Sequence, residues 1–296
     1  MKKFCRLSII FFLSLSSAFA QNRIFKDLSY INKGKVVNDS LQRLSLVIPS
    51  STKDAPLLIW IGGGAWSYVN HNQELGIAQQ FASEGIAVAS IGHRLSPATW
   101  QDPKRDQGVQ HPAHVEDIAA AVKWLYMHAA DYGFSREKFF IGGFSSGGHL
   151  AALIDLNDKY IKAQDLPEDI FKGIIPISGA YDIANYHEVF KNGSQPELAE
   201  LHVEAVFGNT QEAFAEASPM TFLDNLSTPL LIMSDGTVDQ YTKYFVTALL
   251  KTDFKDFDVI YANELTHTDL WKNLAKPDSK YRKPIIRFIQ KELNKL

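Results

Sequence analysis

Ser145 lies in the pentapeptide Gly143-Phe144-Ser145-Ser146-Gly147, which matches the pattern G-x-S-x-G. In that pattern a strained turn between a strand and a helix exposes a serine hydroxyl for nucleophilic attack. The flanking segments fit, because residues 138–141 predict a short buried strand and residues 148–156 predict a helix. We therefore predict that Ser145 is a nucleophile, against the alternative of an ordinary glycine-rich loop.

A serine nucleophile needs a base that takes its proton and an acid that orients the base. In serine sites of this strand–turn–helix kind the chain order is serine, acid, histidine. Of the nine histidines, only His267 follows every late candidate acid. It lies in a polar loop after the predicted strand 257–261. In open parallel sheets, functional groups collect at the carboxyl ends of the strands, which is where this loop begins. The pattern predicts His267 as the base.

The acid should follow the preceding predicted strand, residues 229–233. Asp235 and Asp239 both come after it. We prefer Asp239, because Gly236 breaks the strand and carries the chain around to it, whereas Asp235 would brace the turn. Asp182, after an earlier strand, is the third candidate.

Attack on a carbonyl places negative charge on its oxygen, and N–H donors must already point at it. One expected donor is the N–H group of Ser146. The others should come from the glycine run at residues 62–64, which follows a predicted buried strand at residues 56–61. We assign them to Gly63 and Gly64.

The elements that must position these groups alternate along the chain. Strand-like segments alternate with helix-like ones, which predicts an α/β fold with a mostly parallel sheet covered by helices on both faces. Residues 112–132 are the clearest helix, with apolar residues at helical spacing. Residues 185–217 do not continue this alternation of strands and helices. They predict a small lid-like insertion or a wall of the binding site; the alternative is a surface segment with no role. Predicted strands lie at 43–48, 86–91 and 173–177, and predicted helices at 74–83, 240–250 and 282–293.

Residues 1–20 have a basic start, a short apolar run and an Ala-Phe-Ala end, which is typical of a secretory signal peptide. We expect cleavage after Ala20, export to the periplasm or the medium, and no stable membrane insertion; the alternative is a retained anchor. Residues 21–296 then form one catalytic domain. Its 27 basic and 33 acidic residues disfavour nucleic acid as a partner. Cys5, the only cysteine, lies in the predicted signal, so we expect no disulfide or cysteine-bound metal.

The motif residues resemble bacterial carboxylesterases of the α/β-hydrolase fold, from the branch shared by hormone-sensitive-lipase-like, feruloyl, acetylxylan and kynurenine formamidase-like enzymes. The resemblance covers residues 40–295, and it implies ester hydrolysis through an acyl-enzyme without metal or cofactor. It does not define the substrate or the oligomeric state. Its segments are residues 59–66, 93–97, 111–117 and 144–149, with the loops of Asp239 and His267.

The sequence departs from the family pattern H-G-G-G-W at Gly62, where the histidine that normally braces the oxyanion loop is absent. His93 likewise stands where the family often has tyrosine. The resemblance implies an Arg94–Asp117 ion pair and a structural role for His149. Trp66, Tyr68, Trp100 and Tyr181 are the candidate walls of the substrate pocket.

The sequence thus predicts a secreted serine esterase, with acetyl or feruloyl esters of polysaccharide as candidate substrates. An arylformamidase or a serine peptidase would use the same three side chains. A protein of a different class, a binding module without catalytic activity, is also compatible with the altered glycine loop.

Overall fold

The computed structural model describes residues 21–31, 40–50 and 52–295. One eight-stranded sheet runs through this part of the chain, in the order β1-β2-β4-β3-β5-β6-β7-β8. The strands β3 to β8 are parallel to one another, whereas β2 is antiparallel to both β1 and β4. The strands are β1 (Arg23–Ser29), β2 (Arg43–Ile48), β3 (Ala55–Ile61), β4 (Ala87–Ile91), β5 (Phe134–Phe144), β6 (Phe171–Ile177), β7 (Leu230–Asp235) and β8 (Phe257–Ala262).

Helices cover both faces of the sheet, as predicted. They are α1 (Leu75–Ala82), α2 (Ala113–Tyr132), α3 (Ser146–Leu156), α4 (Lys159–Lys162), α5 (Ile183–Lys191), α6 (Ala205–Phe207), α7 (Gln211–Ala217), α8 (Asp239–Leu249), α9 (His267–Leu274) and α10 (Arg282–Leu293). Short 3₁₀ turns lie at His71–Glu74 and Pro219–Asn225, and a π-helical turn lies at Ala199–Glu204.

Two apolar clusters sandwich the sheet, because successive side chains of a strand point to opposite faces. In β3, Leu57 and Ile59 pack into the cluster that contains α2 and α3. Leu58 and Trp60 pack into the other cluster, with α1 and α10. The continuous apolar run of β3 is therefore explained by burial on both faces, as expected for a central strand of the predicted α/β fold.

Several elements differ from their predictions. The edge strand β1 is mostly exposed, so its sequence lacks the apolar signal by which the central strands were predicted. β5 begins at Phe134, four residues before the predicted start at residue 138, because only residues 139–144 form the continuously buried stretch on which the prediction was based. His267 begins α9 instead of lying in a loop, because Thr266 caps that helix by accepting a hydrogen bond from the N–H of Asp269 at 3.2 Å.

The described residues contain no helix long and apolar enough to cross a membrane. The predicted signal peptide, with Cys5, lies outside the described residues. The predicted Arg94–Asp117 ion pair is present at 2.7 Å and is half-buried, and it joins the loop after β4 to α2.

Candidate active site

Ser145 occupies a strained turn between β5 and α3. Its backbone has φ 56° and ψ −120°, a combination that non-glycine residues adopt only when the surrounding structure enforces it. The Ser145 N–H group donates to the Ile177 carbonyl at 2.8 Å, which fixes the turn against β6. A side chain at Gly147 would overlap the carbonyl oxygen of Ile61, so this turn requires glycine where it approaches β3.

His267 is held by a carboxylate on the neighbouring strand. Its Nδ1 atom lies 2.7 Å from Oδ2 of Asp235, the last residue of β7. The Asp235 side chain is fully buried, whereas the imidazole is about one-third exposed at 31%. Because the carboxylate accepts the proton on Nδ1, the opposite nitrogen, Nε2, is left as the basic atom. The His267 ring also packs on Phe144, with centroids 4.5 Å apart.

Three further donors surround the Asp235 carboxylate. The Ser178 hydroxyl donates to Oδ2 at 2.7 Å, and the N–H groups of Thr237 and Val238 approach Oδ1 at 2.8 and 3.3 Å. Burial opposes ionisation of Asp235, but the hydrogen bonds from His267, Ser178 and Thr237 outweigh it and lower its pKa to about 2. Asp235 is therefore a carboxylate at any physiological pH.

The prediction that Asp239 is the acid partner of His267 is wrong. Asp239 is the first residue of α8, and its carboxylate pairs with Lys243 on the same helix at 2.5 Å. An acidic side chain in the first turn also complements the helix dipole, which gives Asp239 a structural role. Gly236 does turn the chain, but Asp235 already lies at the end of β7, beside the first residue of α9.

The third candidate acid, Asp182, caps α5. Its side chain accepts the N–H of Asn185 at 2.9 Å, as N-cap aspartates commonly do. Sequence reasoning missed Ser178, although a signal was present: it is the first polar residue after β6, at the carboxyl edge where the other groups gather.

The glycine loop lies against the serine turn. A methyl group at Gly63 would be 3.1 Å from Cβ of Ser145 and 3.0 Å from Cδ1 of Phe144, so the two backbones are in close contact. Gly64 has a φ of +152°, and its carbonyl accepts hydrogen bonds from Ser67 and Tyr68 at 2.8 and 2.9 Å. Ser146 begins α3, where a backbone N–H has no partner within the helix. Gly63 therefore lies against Ser145, and Ser146 follows it directly in the chain.

Two cavities meet at Ser145 and His267, and Tyr68 lines both. The smaller cavity, about 190 Å³, also contains Gly63, Gly64 and Glu74. The larger cavity, about 260 Å³, is bounded on one side by residues of the 185–217 segment. The aromatic side chains of the larger cavity are Trp66, Tyr68, Trp100, Tyr186, Phe190 and Tyr241.

Trp66, Tyr68 and Trp100 therefore line the cavities, as predicted, and Tyr181 does not. Tyr181 is buried in the core at 1% exposure and stacks on Phe245 with centroids 4.4 Å apart. An aromatic residue near a strand end was an insufficient signal, because aromatic side chains fill cores more often than pockets.

His149 has the structural role predicted for it. Its Nδ1 accepts the indole N–H of Trp66 at 3.1 Å, and its Nε2–H donates to the Ala217 carbonyl at 2.7 Å. Burial lowers the pKa of His149 to about 3, so the ring stays neutral. Within the described ranges, no three His, Cys, Asp or Glu side chains gather where they could hold a metal ion.

The BD-FAE family matches residues 44–254, which include the glycine loop, the serine turn and Asp235. The chain belongs to the BD-FAE family. His267 lies beyond the matched range, so its assignment rests on its contact with Asp235.

Named relatives of this BD-FAE protein include esterase LipC of Mycobacterium tuberculosis, 29% identical over 62% of this chain. This chain spans 44% of the length of LipC, less than half. Kynurenine formamidase of Danio rerio is 24% identical, with 84% of this chain and 78% of the relative covered.

Solved structures share the fold. Esterase B of Lactobacillus rhamnosis superposes with a TM-score of 0.76 at 18% identity, covering 93% of this chain and 88% of its own. A truncated carbohydrate esterase from gut microbiota gives 0.70 at 19% identity, covering 93% and 98%. At these sequence identities, the similarity shows only that the fold is shared.

Proposed function

We propose that this BD-FAE protein is a serine hydrolase that cleaves carboxylic esters. The observation that carries the proposal is the Asp235–His267 hydrogen bond, with the imidazole opening onto the same two cavities as the strained Ser145. A buried carboxylate behind a histidine beside a serine is the arrangement that activates a hydroxyl nucleophile.

In the first step, Oγ of Ser145 attacks the ester carbonyl carbon as Nε2 of His267 takes its proton. The carbonyl oxygen becomes an oxyanion, which the N–H groups of Gly63, Gly64 and Ser146 stabilise. The imidazolium then donates that proton to the leaving alcohol oxygen as the C–O bond breaks. The products of this step are the free alcohol and an acyl ester on Ser145.

Water completes the cycle. His267 removes a proton from water, whose oxygen attacks the acyl carbon through a second oxyanion. The same proton returns to Oγ of Ser145 as the acyl C–O bond breaks, and the carboxylic acid leaves. Asp235, already ionised, stabilises the imidazolium in both halves of the cycle.

The two cavities support the proposed class of substrate. The larger one has aromatic walls suited to packing against a ring, either a sugar or an aryl group. Tyr186 and His202, which also line it, hydrogen-bond to each other at 3.1 Å. Acetylated or feruloylated polysaccharide fragments supply such rings beside the ester bond.

A second candidate is hydrolysis of aryl formamides. The kynurenine formamidase of Danio rerio is matched over more of its own length than LipC is, 78% against 44%. The same attack and proton transfers would release formate and an arylamine, and the arylamine ring would occupy the larger cavity.

Export is a further part of the proposal. The basic and apolar pattern of residues 1–20 supports cleavage after Ala20. N-terminal sequencing of protein recovered from the periplasm or medium should begin at Gln21; a chain that begins at Met1 contradicts cleavage.

The test of the activity is a substrate panel. Purified protein and Ser145→Ala are assayed on acetylated xylo-oligosaccharides, methyl ferulate, N-formyl arylamines and short p-nitrophenyl esters. We expect ester turnover that Ser145→Ala removes while the circular dichroism spectrum is unchanged. Turnover of formamides alone would favour the second candidate. No turnover and no covalent labelling by a fluorophosphonate would support a silent binding module.

A further inference from the structure

A carboxyl group is buried directly beside the glycine loop. Glu74, at the end of the His71–Glu74 turn, is 3% exposed, and it lines the smaller cavity together with Ser145 and His267. Its Oε2 accepts the indole N–H of Trp60 at 2.8 Å, and its Oε1 accepts that of Trp271 at 3.1 Å. Burial of a carboxyl against neutral donors is costly, so its retention beside a reaction centre needs an explanation.

The two indoles lie on the two elements that position the glycine loop and His267. Trp60 lies on β3, two residues before the glycine loop begins. Trp271 lies on α9, one helical turn after His267, so it faces the same side of that helix. One carboxyl group therefore connects the strand that carries the loop of Gly63 and Gly64 to the helix that carries the base.

Gly62 makes room for this carboxyl. A methyl group at position 62 would lie 3.0 Å from Oε1, 3.1 Å from Cγ and 3.2 Å from Cδ of Glu74. Position 62 is also where the sequence lacks the histidine of the H-G-G-G-W pattern. The carboxyl of Glu74 thus packs against the loop at the residue where the expected brace is missing.

We propose that Glu74 is a positioning residue. Through its hydrogen bonds to Trp60 and Trp271, it fixes the positions of the Gly63–Gly64 loop and of His267 relative to Ser145. The proposal rests on the proposed serine hydrolase function. The indole N–H groups hold the carboxyl oxygens in place. The carboxyl in turn holds α9, through Trp271, close to the glycine loop. Loss of either bond lets the donors and the base drift apart.

The direct test is Glu74→Gln, which keeps the shape of the side chain. Its amide has one oxygen and one NH2 group. With the oxygen at the Oε2 position the bond from Trp60 is kept, whereas Trp271 loses its 3.1 Å bond to Oε1, faces the NH2 group and keeps only its 3.3 Å contact with Oε2. We expect kcat to fall by about tenfold to a hundredfold, with KM changed by less than about threefold, because small misplacements of reacting groups act mainly on the chemical step. Trp271→Phe, which removes only the second indole donor, should lower kcat in the same direction.

Glu292→Gln is the matched control. Glu292 is also 3% exposed, lies on α10, and pairs with Lys295 at 2.6 Å. Its substitution should lower the melting temperature without changing kcat per folded molecule. If Glu74→Gln lowers only the melting temperature, as the control does, Glu74 is merely structural and the proposal is wrong.

A double-mutant cycle tests the role of Gly62. Gly62→Ala should lower kcat in the wild-type background, because the methyl group presses on the Glu74 carboxyl. In a Glu74→Ala background, the fold-decrease in kcat caused by Gly62→Ala should be at least about fivefold smaller, since the carboxyl that the methyl group presses on is absent. Equal costs in both backgrounds contradict the proposed packing. If Glu74→Ala does not fold, Glu74→Asp, whose side chain is one methylene group shorter, serves as the second background, with a smaller relief expected.

The rate of phosphonylation by a fluorophosphonate separates this proposal from the one on which it rests. Wild-type labelling that Ser145→Ala abolishes supports the serine hydrolase. If Glu74→Gln and Trp271→Phe then label as fast as the wild type, only the role of Glu74 is refuted. If the wild type itself neither labels nor turns over ester, both proposals fail together.

Discussion

Asp235 and His267 are joined across two neighbouring strands of the sheet, with Oδ2 of the carboxylate 2.7 Å from Nδ1 of the imidazole. Asp235 ends β7, and β8 leads into the loop before α9, which begins at His267. The parallel register of β7 and β8 pairs Asp235 with Ala262, five residues before His267. The contact is therefore a consequence of strand order, which places both groups at one edge.

This contact predicts that Asp235→Asn reduces kcat by about 10³- to 10⁴-fold. The amide cannot accept the Nδ1 proton as a carboxylate does, so the imidazole loses its correct tautomer and its stabilising charge. The matched variant is Asp239→Asn, which removes a carboxylate only four residues away that pairs with Lys243. Steady-state hydrolysis of p-nitrophenyl acetate should show less than about a threefold change for Asp239→Asn, since exposed ion pairs contribute little. The reverse ranking would refute the assignment of the acid.

The pKa of Asp235 also predicts how stability depends on pH. Hydrogen bonds lower the pKa in the folded protein to about 2, from 3.8 in an ordinary carboxyl. The stabilisation is therefore complete above pH 4 or so and is lost as pH falls towards 2, at about 1.4 kcal/mol per unit of pKa difference. The free energy of unfolding of the wild type, relative to Asp235→Asn, should drop by about 2 kcal/mol between pH 5 and pH 2.

Urea unfolding followed by circular dichroism at each pH measures this difference. Other carboxyl groups titrate in both proteins and largely cancel. A difference that stays constant from pH 5 to pH 2 means that Asp235 is not stabilised in its ionised form by its neighbours.

The strand–turn–helix geometry at Ser145 was predictable because its pattern is local: five consecutive residues and the apolar segments on either side. The choice of His267 used chain order and its place after a predicted strand, and the structure places its imidazole against Asp235. The central strands were predicted because burial on both faces leaves them apolar throughout.

The errors have a different origin. Asp235 and Asp239 lie in the same short segment, and no local rule says which carboxylate faces a histidine 28 or 32 residues later. That choice depends on the registration of β7 with β8 and on the direction in which α8 leaves the sheet. Glu74 gave no local signal, because its partners Trp60 and Trp271 are 14 and 197 residues away.

The backbone of the glycine loop provides a third prediction. Gly64→Ala introduces a methyl group 2.8 Å from the backbone nitrogen of Val69, at a φ of +152° that disfavours any side chain. Displacement of this donor from the oxyanion should lower kcat by about 10²- to 10³-fold. The control is Gly76→Ala in α1, where the nearest heavy atom would be 3.8 Å away. That variant should keep full activity and gain up to about 1 kcal/mol of stability. Equal activity in the two variants would contradict a role for Gly64.

The division of the site into two cavities gives a fourth prediction. Leu198→Trp fills part of the larger, aromatic cavity, whereas Gln73→Trp fills part of the smaller one. We expect Leu198→Trp to raise KM for acetylated xylo-oligosaccharides and methyl ferulate by about tenfold or more, with ethyl acetate unchanged, because the ring loses its space. Gln73→Trp should leave the ring-bearing esters unaffected. The opposite pattern would assign the ring to the smaller cavity.

The central claim is that Ser145 becomes covalently modified because His267 and Asp235 activate it. The most direct measurement is mass spectrometry of the intact and digested protein after incubation with a fluorophosphonate. We predict a single adduct on the peptide that contains Ser145, formed far more slowly in His267→Ala and Asp235→Asn and absent from Ser145→Ala. An adduct on another residue, or labelling at an unchanged rate when His267 is removed, would contradict the account.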